Sequence, residues 1–422
     1  MKKISLLLLA LLCFSILPSC NTLPDSMNAY TGPMLGHVDQ DRALIWCSLE
    51  AKGSINLKFS EDSELQNSKI LSIDDFEVGT IELKDLKPNT TYYYQLLTSK
   101  DSKPAIYSFK TAAKKEDSKK LRFLFSSCSG RQASDEATTW NEIAQVKGLD
   151  MIFQLGDNHY ADTTDPKVIS QNYMSRRKLD GFVRSTTSVA TYGIWDDHDF
   201  GPNNSDSQTP GREGSLEVFK KFWANPSYGE ANNPGIYFSF QRGDVQFIFL
   251  DSRYHRTPNK SMKANDPKKT LLGIKQFEWL EKTLRLSKAK VKVVACGSEF
   301  QTHGSGDGFS GFRHEQNKIL DLCKEIEGVI LLSGDRHFTA AYQIRGETLE
   351  ITSGPLGSKN SNARKTPDMF IKHSSGKMYS ILSIDTSENE ARIELEIFQV
   401  AKGKIESRQF SWAEINGKKR IK

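Results

Sequence analysis

The sequence predicts two domains in succession, an all-β module followed by a larger α/β domain, and three observations predict them. Residues 30–113 hold short alternating runs between turn clusters, with no helical stretch among them. A polar break, Lys114-Lys115-Glu116-Asp117-Ser118-Lys119-Lys120, comes next. Beyond it, short apolar runs take turns with helical patterns. A chain of 422 residues, 37% hydrophobic and 26% charged, is long enough for two or three domains and has a soluble globular balance.

The first twenty residues read as an address. Lys2 and Lys3 precede an apolar run from Ile4 to Leu17, then Pro18, Ser19 and Cys20. That run is too short and wrongly flanked for a membrane span. An apolar core closing on a small residue and a cysteine resembles a bacterial lipoprotein signal. The resemblance implies cleavage before Cys20, acylation of its sulfur and membrane anchoring through the lipid, at the periplasmic face or the cell surface. An ordinary secretory signal cut nearby is the alternative, and both export the chain. Residues 1–19 are therefore read as signal and 20–29 as tether. Losing Lys2 and Lys3 takes the formal net charge from +5 to +3. No nucleic-acid-binding patch is seen; the one basic cluster, Gly417-Lys418-Lys419-Arg420-Ile421-Lys422, reads as a frayed, solvated end. Cys47, Cys128, Cys296 and Cys323 show no paired spacing, and Cys47 and Cys296 sit in strand-like runs as small buried hydrophobes.

In the first module, Arg42–Leu49, Ile55–Phe59, Phe76–Leu83 and Thr91–Leu97 read as strands. The segment Leu86 to Leu97, with Tyr92, Tyr93 and Tyr94, resembles a corner of a fibronectin type III or immunoglobulin-like sandwich. There a tyrosine hydroxyl ties the corner back to the backbone. The sandwich is expected over residues 30–113 and the linker over 114–120.

Residues 121–422 form the second domain. Leu121–Phe125, Met151–Leu155, Val189–Trp195, Val245–Leu250, Val291–Ala295 and Val329–Leu332 read as buried strands. Asp135–Val146, Lys167–Val183, Glu213–Ala224, Lys275–Ser287 and Arg313–Ile326 read as helices between several of them. That alternation argues for a sheet covered on both faces. Ligands of such sheets gather beyond the carboxyl ends of the strands.

Every strand leads into polar groups. The first is followed by Ser126-Ser127-Cys128-Ser129-Gly130, the second by Gly156-Asp157-Asn158-His159-Tyr160-Ala161-Asp162, the third by Asp196-Asp197-His198-Asp199. The fourth gives Asp251-Ser252-Arg253-Tyr254-His255, the fifth Gly297-Ser298-Glu299, the sixth Ser333-Gly334-Asp335-Arg336-His337. Crowded carboxylates repel, and a bound cation turns that repulsion into ligation. Asp157, Asp197 and Asp335 are hard oxygen donors, Cys128 and Tyr160 are anionic donors suited to trivalent iron, and His337 offers a nitrogen. Two cations bridged by one carboxylate would clamp a phosphoryl group and lower the pKa of a bound water.

Gly156-Asp157-x-x-Tyr160, Asp197-His198-Asp199 and Gly334-Asp335-x-His337, with Cys128 ahead of them, resemble the PhoD-like branch of the metallophosphoesterases, a relative of the purple acid phosphatases. Trp195 to Asn203 is the most specific segment, and the likeness runs over nearly the whole mature chain. It implies a layered β-sandwich core flanked by helices. It further implies that Cys128, Asp157, Tyr160 and His337 bind Fe3+, and that Asp157 bridges to a second ion, Ca2+, also held by Asp197 and Asp335. His198 then matches the histidine that assists the leaving group, and Arg253 an arginine that meets a phosphate oxygen. One part does not carry over: the purple acid phosphatases place a further histidine after the fifth strand, and His303 falls two residues too late. The full shell of the second metal is thus open, and Asp196, Asp199, Asn203, Asn204 and Asp206 are candidates for orienting ligands or holding an extra ion.

Plainer readings stand beside these. Cys128 fits a core thiol, Tyr160 packing and His198 a structural histidine; His159 and His255 fit either support of the site or polar surface. Asp162 and Asp251 read as supports, and Trp195, Trp223 and Trp279 as packing. The function implied is an exported phosphoesterase that hydrolyses phosphate monoesters or diesters by metal-activated hydroxide attack. A phospholipase or cell-wall phosphodiesterase is the alternative for a tethered enzyme. A non-catalytic surface-binding lipoprotein is the alternative of another class.

Overall fold

The computed structural model describes residues 30–98, 104–117 and 119–421; the expected signal, tether and Cys20 lie outside them. Alternating β-branched and aromatic residues build β1 (Tyr30–Val38), β2 (Ala43–Ser60), β3 (Lys69–Leu83), β4 (Thr91–Leu97) and β5 (Tyr107–Lys110). The expected tyrosine corner is present: Tyr92 Oη accepts the Lys87 N–H at 2.9 Å. The sheets differ from the expectation. All five strands form one hydrogen-bonded sheet, because the long β2 runs through both halves. Ala43 to Ser48 pair with β1, Asn56 to Ser60 with β4, and β3 follows β2 across both. Register shifts between Ser48 and Ile55 mark the irregularity that lets one strand serve both.

The remaining chain forms two sheets. The first contains β6 (Lys120–Ser126), β7 (Met151–Leu155), β8 (Ala190–Ile194), β16 (Met378–Asp385), β17 (Arg392–Gln399) and β18 (Gly403–Phe410), in the order β18-β17-β16-β6-β7-β8. The second contains β9 (Phe238–Arg242), β10 (Val245–Phe249), β11 (Val291–Cys296), β12 (Val329–Ser333), β13 (Thr339–Ile344), β14 (Thr348–Thr352) and β15 (Met369–His373), in the order β15-β13-β14-β12-β11-β10-β9. In the first, β6, β7 and β8 run parallel up to one edge and antiparallel strands complete the other; in the second, β10, β11, β12 and β14 are parallel and antiparallel strands finish both edges. The two sheets face each other through aromatic rings, with Phe123 at 5.4 Å from Phe247, Phe153 at 5.0 Å from Phe249 and Tyr192 at 4.6 Å from Phe240. The layered sandwich is therefore the correct architecture, and the single sheet covered on both faces is not. The strand–helix rhythm gave no sign of β9 or β13 to β18, whose residues mix polar and apolar types without intervening helices.

The helices are α1 (Ser134–Ile143), α2 (Pro166–Arg177), α3 (Asp180–Thr186), α4 (Asp197–Phe200), α5 (Arg212–Phe222), α6 (Ile274–Leu286), α7 (Arg313–Glu325) and α8 (Trp412–Ile415). Leu280 and Leu284 of α6 and Ile319 and Cys323 of α7 pack with Ile248, Val294 and Leu331 on one sheet. Trp140 of α1 meets Phe182 of α3 at 4.8 Å. The helix expected over Lys167–Val183 breaks at Leu179, whose extended backbone separates α2 from α3. No helix among the described residues is long and apolar enough to cross a membrane. The carboxyl-terminal segment is not frayed: Ile421 is buried and its N–H donates to Gln343 Oε1 at 2.8 Å.

The amino-terminal sheet shares its core with the sandwich. Trp46 Nε1 donates to the Lys221 carbonyl at 2.8 Å, Tyr94 Oη to that of Thr187 at 2.9 Å, and the His37 N–H to that of Ala224 at 2.8 Å. The buried Arg177 guanidinium lies 5.4 Å from the Trp46 ring and 4.4 Å from that of Trp223. Trp46→Ala should therefore destabilise the whole chain by about 3–5 kcal/mol in one cooperative transition. Calorimetry showing two separate transitions, with the second unmoved, would refute a common core.

Candidate metal centre

The carboxyl ends of the parallel strands point toward one region, and their backbone is bent to bring side chains together. Cys128, Asp157, Asp335 and His337 all have left-handed backbones, with φ of 60°, 52°, 66° and 52°. Such conformations cost on the order of 1–3 kcal/mol each for non-glycine residues and persist only where packing enforces them. Gly334 shows the enforcement: a Cβ there would sit 2.3 Å from the Leu155 carbonyl oxygen.

Three sets of ligand atoms result, each lying within 4.8 Å of one another. They are Cys128, Asp157 and His337; Asp157, Asp197 and His198; and Asp196, Asp197 and Asp335. Asp157 belongs to two sets and Asp197 to two. The Tyr160 hydroxyl joins the first set, 2.9 Å from His337 Nε2 and donating to Asp157 Oδ2 at 3.2 Å. All six residues expected as ligands are thus brought together. The His337 ring is held from behind by the Lys359 carbonyl, 2.8 Å from Nδ1, which leaves Nε2 toward the centre.

Charge in the cluster is unbalanced. Burial and then the neighbouring Asp197, Asp196, Asp199 and Asp335 push the Asp157 carboxyl well above its ordinary range. Burial and the charges of Asp196 and Asp307 do the same to Asp335. Burial also raises the Cys128 thiol and the Tyr160 phenol. Asp197 goes the other way: burial works to raise it, but Arg253 and His198 outweigh burial and lower it. Asp157 Oδ1, Asp197 Oδ1 and Asp196 Oδ2 are buried without a hydrogen-bond partner among the described residues. Unsatisfied anionic oxygens aimed into one space are what a cation would satisfy. The donor set fits two ions, with thiolate, phenolate and imidazole on one side of Asp157 and carboxylates on the other.

Other expected residues divide. Asp196 is held by Arg253, Ser252 and Ser298 through Oδ1, leaving Oδ2 toward the cluster. Asp199 closes a capping box on α4 and accepts the Asn158 N–H at 2.8 Å, so it shapes the loop rather than ligating. Asn203 and Asn204 expose their side chains, and Asn204 contributes its backbone N–H to Asp197 Oδ2 at 2.8 Å. Asp206 accepts the Gln208 N–H at 2.9 Å in its own turn. Asp251 is structural: it accepts from the Trp195 indole and from the N–H groups of Arg253, Tyr254 and Ile236. His255 turns to the Pro234 carbonyl.

Arg253 does not present itself to a phosphate oxygen in this geometry. It is fully buried, with Nε on Asp196 Oδ1 at 2.5 Å and Nη2 on Asp307 Oδ2 at 2.7 Å. Asp307 escaped the sequence reading. It also pairs with Arg256 at 2.8 Å, and both arginines hold its carboxyl below the ordinary range against the effect of burial. Its one trace in the sequence is the glycine-rich spelling Gly304-Ser305-Gly306-Asp307-Gly308. Glu299 and Arg336, paired at 3.1 Å, brace the Asp335 loop in the same way.

Comparison with known proteins agrees with this geometry. The family model "PhoD-like phosphatase" matches residues 123–392, and a domain of unknown function (DUF7800) matches residues 27–106. Alkaline phosphatase D of Bacillus subtilis (strain 168) is 24% identical over 66% of this chain, and the chain spans 56% of that protein. Among solved structures, one of PhoD superposes with a TM-score of 0.74 at 17% identity, over 90% of this chain and 88% of that one. The purple acid phosphatase PPD1 from yellow lupin (Lupinus luteus) seeds superposes at 0.67 and 15% identity, over 92% and 76%. The class defined is that of a two-sheet fold, shared with these phosphatases, whose strand ends here carry candidate metal ligands. More narrowly, the chain belongs to the PhoD-like phosphatase family.

Beneath the centre, Glu350 of β14 accepts from the Phe300 N–H and Ser333 Oγ, at 2.8 and 2.7 Å, through one oxygen; the other has no partner among the described residues. Burial pushes its carboxyl from 4.5 up to about 8. The folded state therefore binds more protons than the unfolded chain between those values. Stability is full below the lower value and falls as pH rises through the window, by up to about 1.4 kcal/mol per unit. Glu350→Gln should flatten this slope, so that the variant overtakes the parent protein in denaturant midpoint at pH 8.5 but not at pH 5. Parallel pH profiles for the two proteins would rule out the buried carboxyl as the source.

Proposed function

We propose that this protein is an exported, metal-dependent phosphoesterase that hydrolyses phosphate monoesters or diesters. The observation that carries the reading is the sharing of Asp157 between two ligand sets, which is the arrangement a bridging carboxylate needs. Cys128, Asp157, Tyr160 and His337 would hold a ferric ion, and Asp157, Asp197 and Asp335 a calcium ion, with Asp196 Oδ2 within reach of the second set. When bound, such ions supply positive charge to phosphoryl oxygens and lower the pKa of water in the site.

The chain's own residues do the rest. His198, whose ring packs 4.3 Å from that of Tyr160 at the edge of the cluster, would protonate the departing ester oxygen. Arg253 acts through Asp196, which it pairs with, fixing the orientation of the Asp196–Asp197 pair rather than touching substrate. Export and a lipid tether through Cys20 rest on the amino-terminal pattern Lys2 to Cys20. A tethered enzyme meets phospholipid and cell-wall diesters first, which favours a diester reading for the natural substrate. Retention of nearly all the expected donors at the strand ends speaks against a non-catalytic binding lipoprotein, since an idle site has no reason to keep bent backbones and unsatisfied carboxylates.

Asp157→Asn should lower kcat on a chromogenic phosphate ester by at least about 10³-fold while circular dichroism and thermal melting show a folded protein. A chelator should abolish turnover, and a ferric–phenolate pair should give the purified protein a visible absorption band that is lost in Tyr160→Phe. Full activity of Asp157→Asn would falsify the bridging role.

A further inference from the structure

A lysine-rich excursion of the chain stands beside the candidate centre. After β10 the chain passes Arg253 and Arg256, loops out over residues 257–273, and enters α6 through Ile274 and Lys275. The loop is pinched at its root, where the Thr257 N–H donates to the Thr270 carbonyl at 2.8 Å and the Thr270 N–H to Thr257 Oγ1 at 3.1 Å. Its end returns to its start: a Cβ on Gly273 would sit 2.7 Å from His255 Cβ. The root is also tied to the centre. Lys269 Nζ donates to the Asn259 carbonyl at 2.7 Å, and Asn259 Nδ2 to Asp307 Oδ1 at 2.6 Å. Arg253 Nη2 pairs with Asp307 Oδ2 at 2.7 Å and lies 3.8 Å from Asp197 Oδ1. The loop therefore rises from the same end of the second sheet as the candidate ligands.

Residues 257–275 hold five lysines against one carboxylate, Asp266. Lys260, Lys263 and Lys268 are exposed and have no ion-pair partner among the described residues. Two large apolar side chains stand in water with them, Met262 at 39% exposure and Ile274 at 73%. The other exposed large apolar side chains among the described residues lie elsewhere: Ile70, Leu71 and Ile106 in or beside the amino-terminal sheet, and Leu286 at the far end of α6. Lysines alone fit any polyanion, but a dissolved polyanion would leave Met262 and Ile274 in water. An anionic bilayer takes both, with lipid phosphates on the lysines and the apolar tips at the acyl boundary.

We propose that residues 257–275 dock this end of the molecule onto an anionic lipid bilayer and bring the candidate metal centre to the phosphodiesters of the headgroup layer. The substrate half of the proposal rests on the reading of the protein as an exported phosphoesterase; the docking half does not need turnover. Each lysine near such a surface strengthens attachment about fivefold, an attraction that salt screens. Met262 and Ile274 set how deep the tip sits.

The test places a reporter in the full-length protein, so that any lipid on Cys20 acts equally on every variant. Met262→Trp and, for comparison, Ile70→Trp are mixed with vesicles of phosphatidylglycerol or phosphatidylcholine carrying nitroxide-labelled lipid as quencher. Both proteins keep the same native tryptophans, so a difference between them belongs to the introduced one. On phosphatidylglycerol, Met262→Trp should lose about twofold or more fluorescence relative to Ile70→Trp. The excess should vanish on phosphatidylcholine, at high salt, and when Lys260→Gln, Lys263→Gln and Lys268→Gln are added. With Met262 in place, that triple lysine variant should keep the parent kcat on a soluble p-nitrophenyl ester. Its rate on phosphatidylglycerol in vesicles should fall on the order of 10-fold or more. Equal quenching at the two positions, or an excess that survives on phosphatidylcholine or without the lysines, would overturn the docking. An unchanged vesicle rate in the triple variant would overturn its part in presenting substrate. If the quenching behaves as expected and the parent protein hydrolyses no ester, the phosphoesterase reading fails and the docking stands.

Discussion

The constraint on which the rest of the structure depends is the mutual repulsion of carboxylates taken out of water. Asp157, Asp196 and Asp197 are buried and Asp335 is half-buried within one small volume, and several of the oxygens have no hydrogen-bond partner among the described residues. Separating them would cost nothing in local geometry, since loops after strands are easily redirected. Instead the chain bends its backbone into left-handed conformations to keep them together. Two sheets are what make this enforceable: strand ends from both converge on one rim, and glycines such as Gly334 allow their backbones to touch.

Around that core of negative charge stands a ring of compensation. Arg253 and Arg256 meet Asp307, Arg253 also meets Asp196, and Arg336 meets Glu299. These cations are buried or half-buried and paired with protein carboxylates, so they stiffen the loops behind the centre instead of neutralising its open face. The face that remains is bordered by Tyr160, His198 and His337, and each imidazole is held through its Nδ1.

Much of this centre was legible in the chain because strand ends carry a simple spelling: an apolar run, a small residue, then a donor. Asp157, Asp197 and Asp335 follow their strands within one to three residues, and Cys128 and His337 lie close behind. What could not be read was anything fixed by long-range pairing. Whether Arg253 would face a phosphate or a carboxylate was decided by Asp307, more than fifty residues away in a glycine-rich loop with no strand to announce it. The split of the strands between two sheets was equally hidden, because Phe123 and Phe247 make the same local pattern whether they face a helix or each other. The amino-terminal sheet kept its tyrosine corner, a purely local device, and departed from expectation where β2 crosses the whole sheet, which is not one.

The bent backbones at Cys128, Asp157, Asp335 and His337 carry a consequence for assembly. Their strain is held by packing between the sheets, not by anything in the centre itself. The shape of the cradle therefore follows from the fold of the polypeptide rather than from anything placed in it.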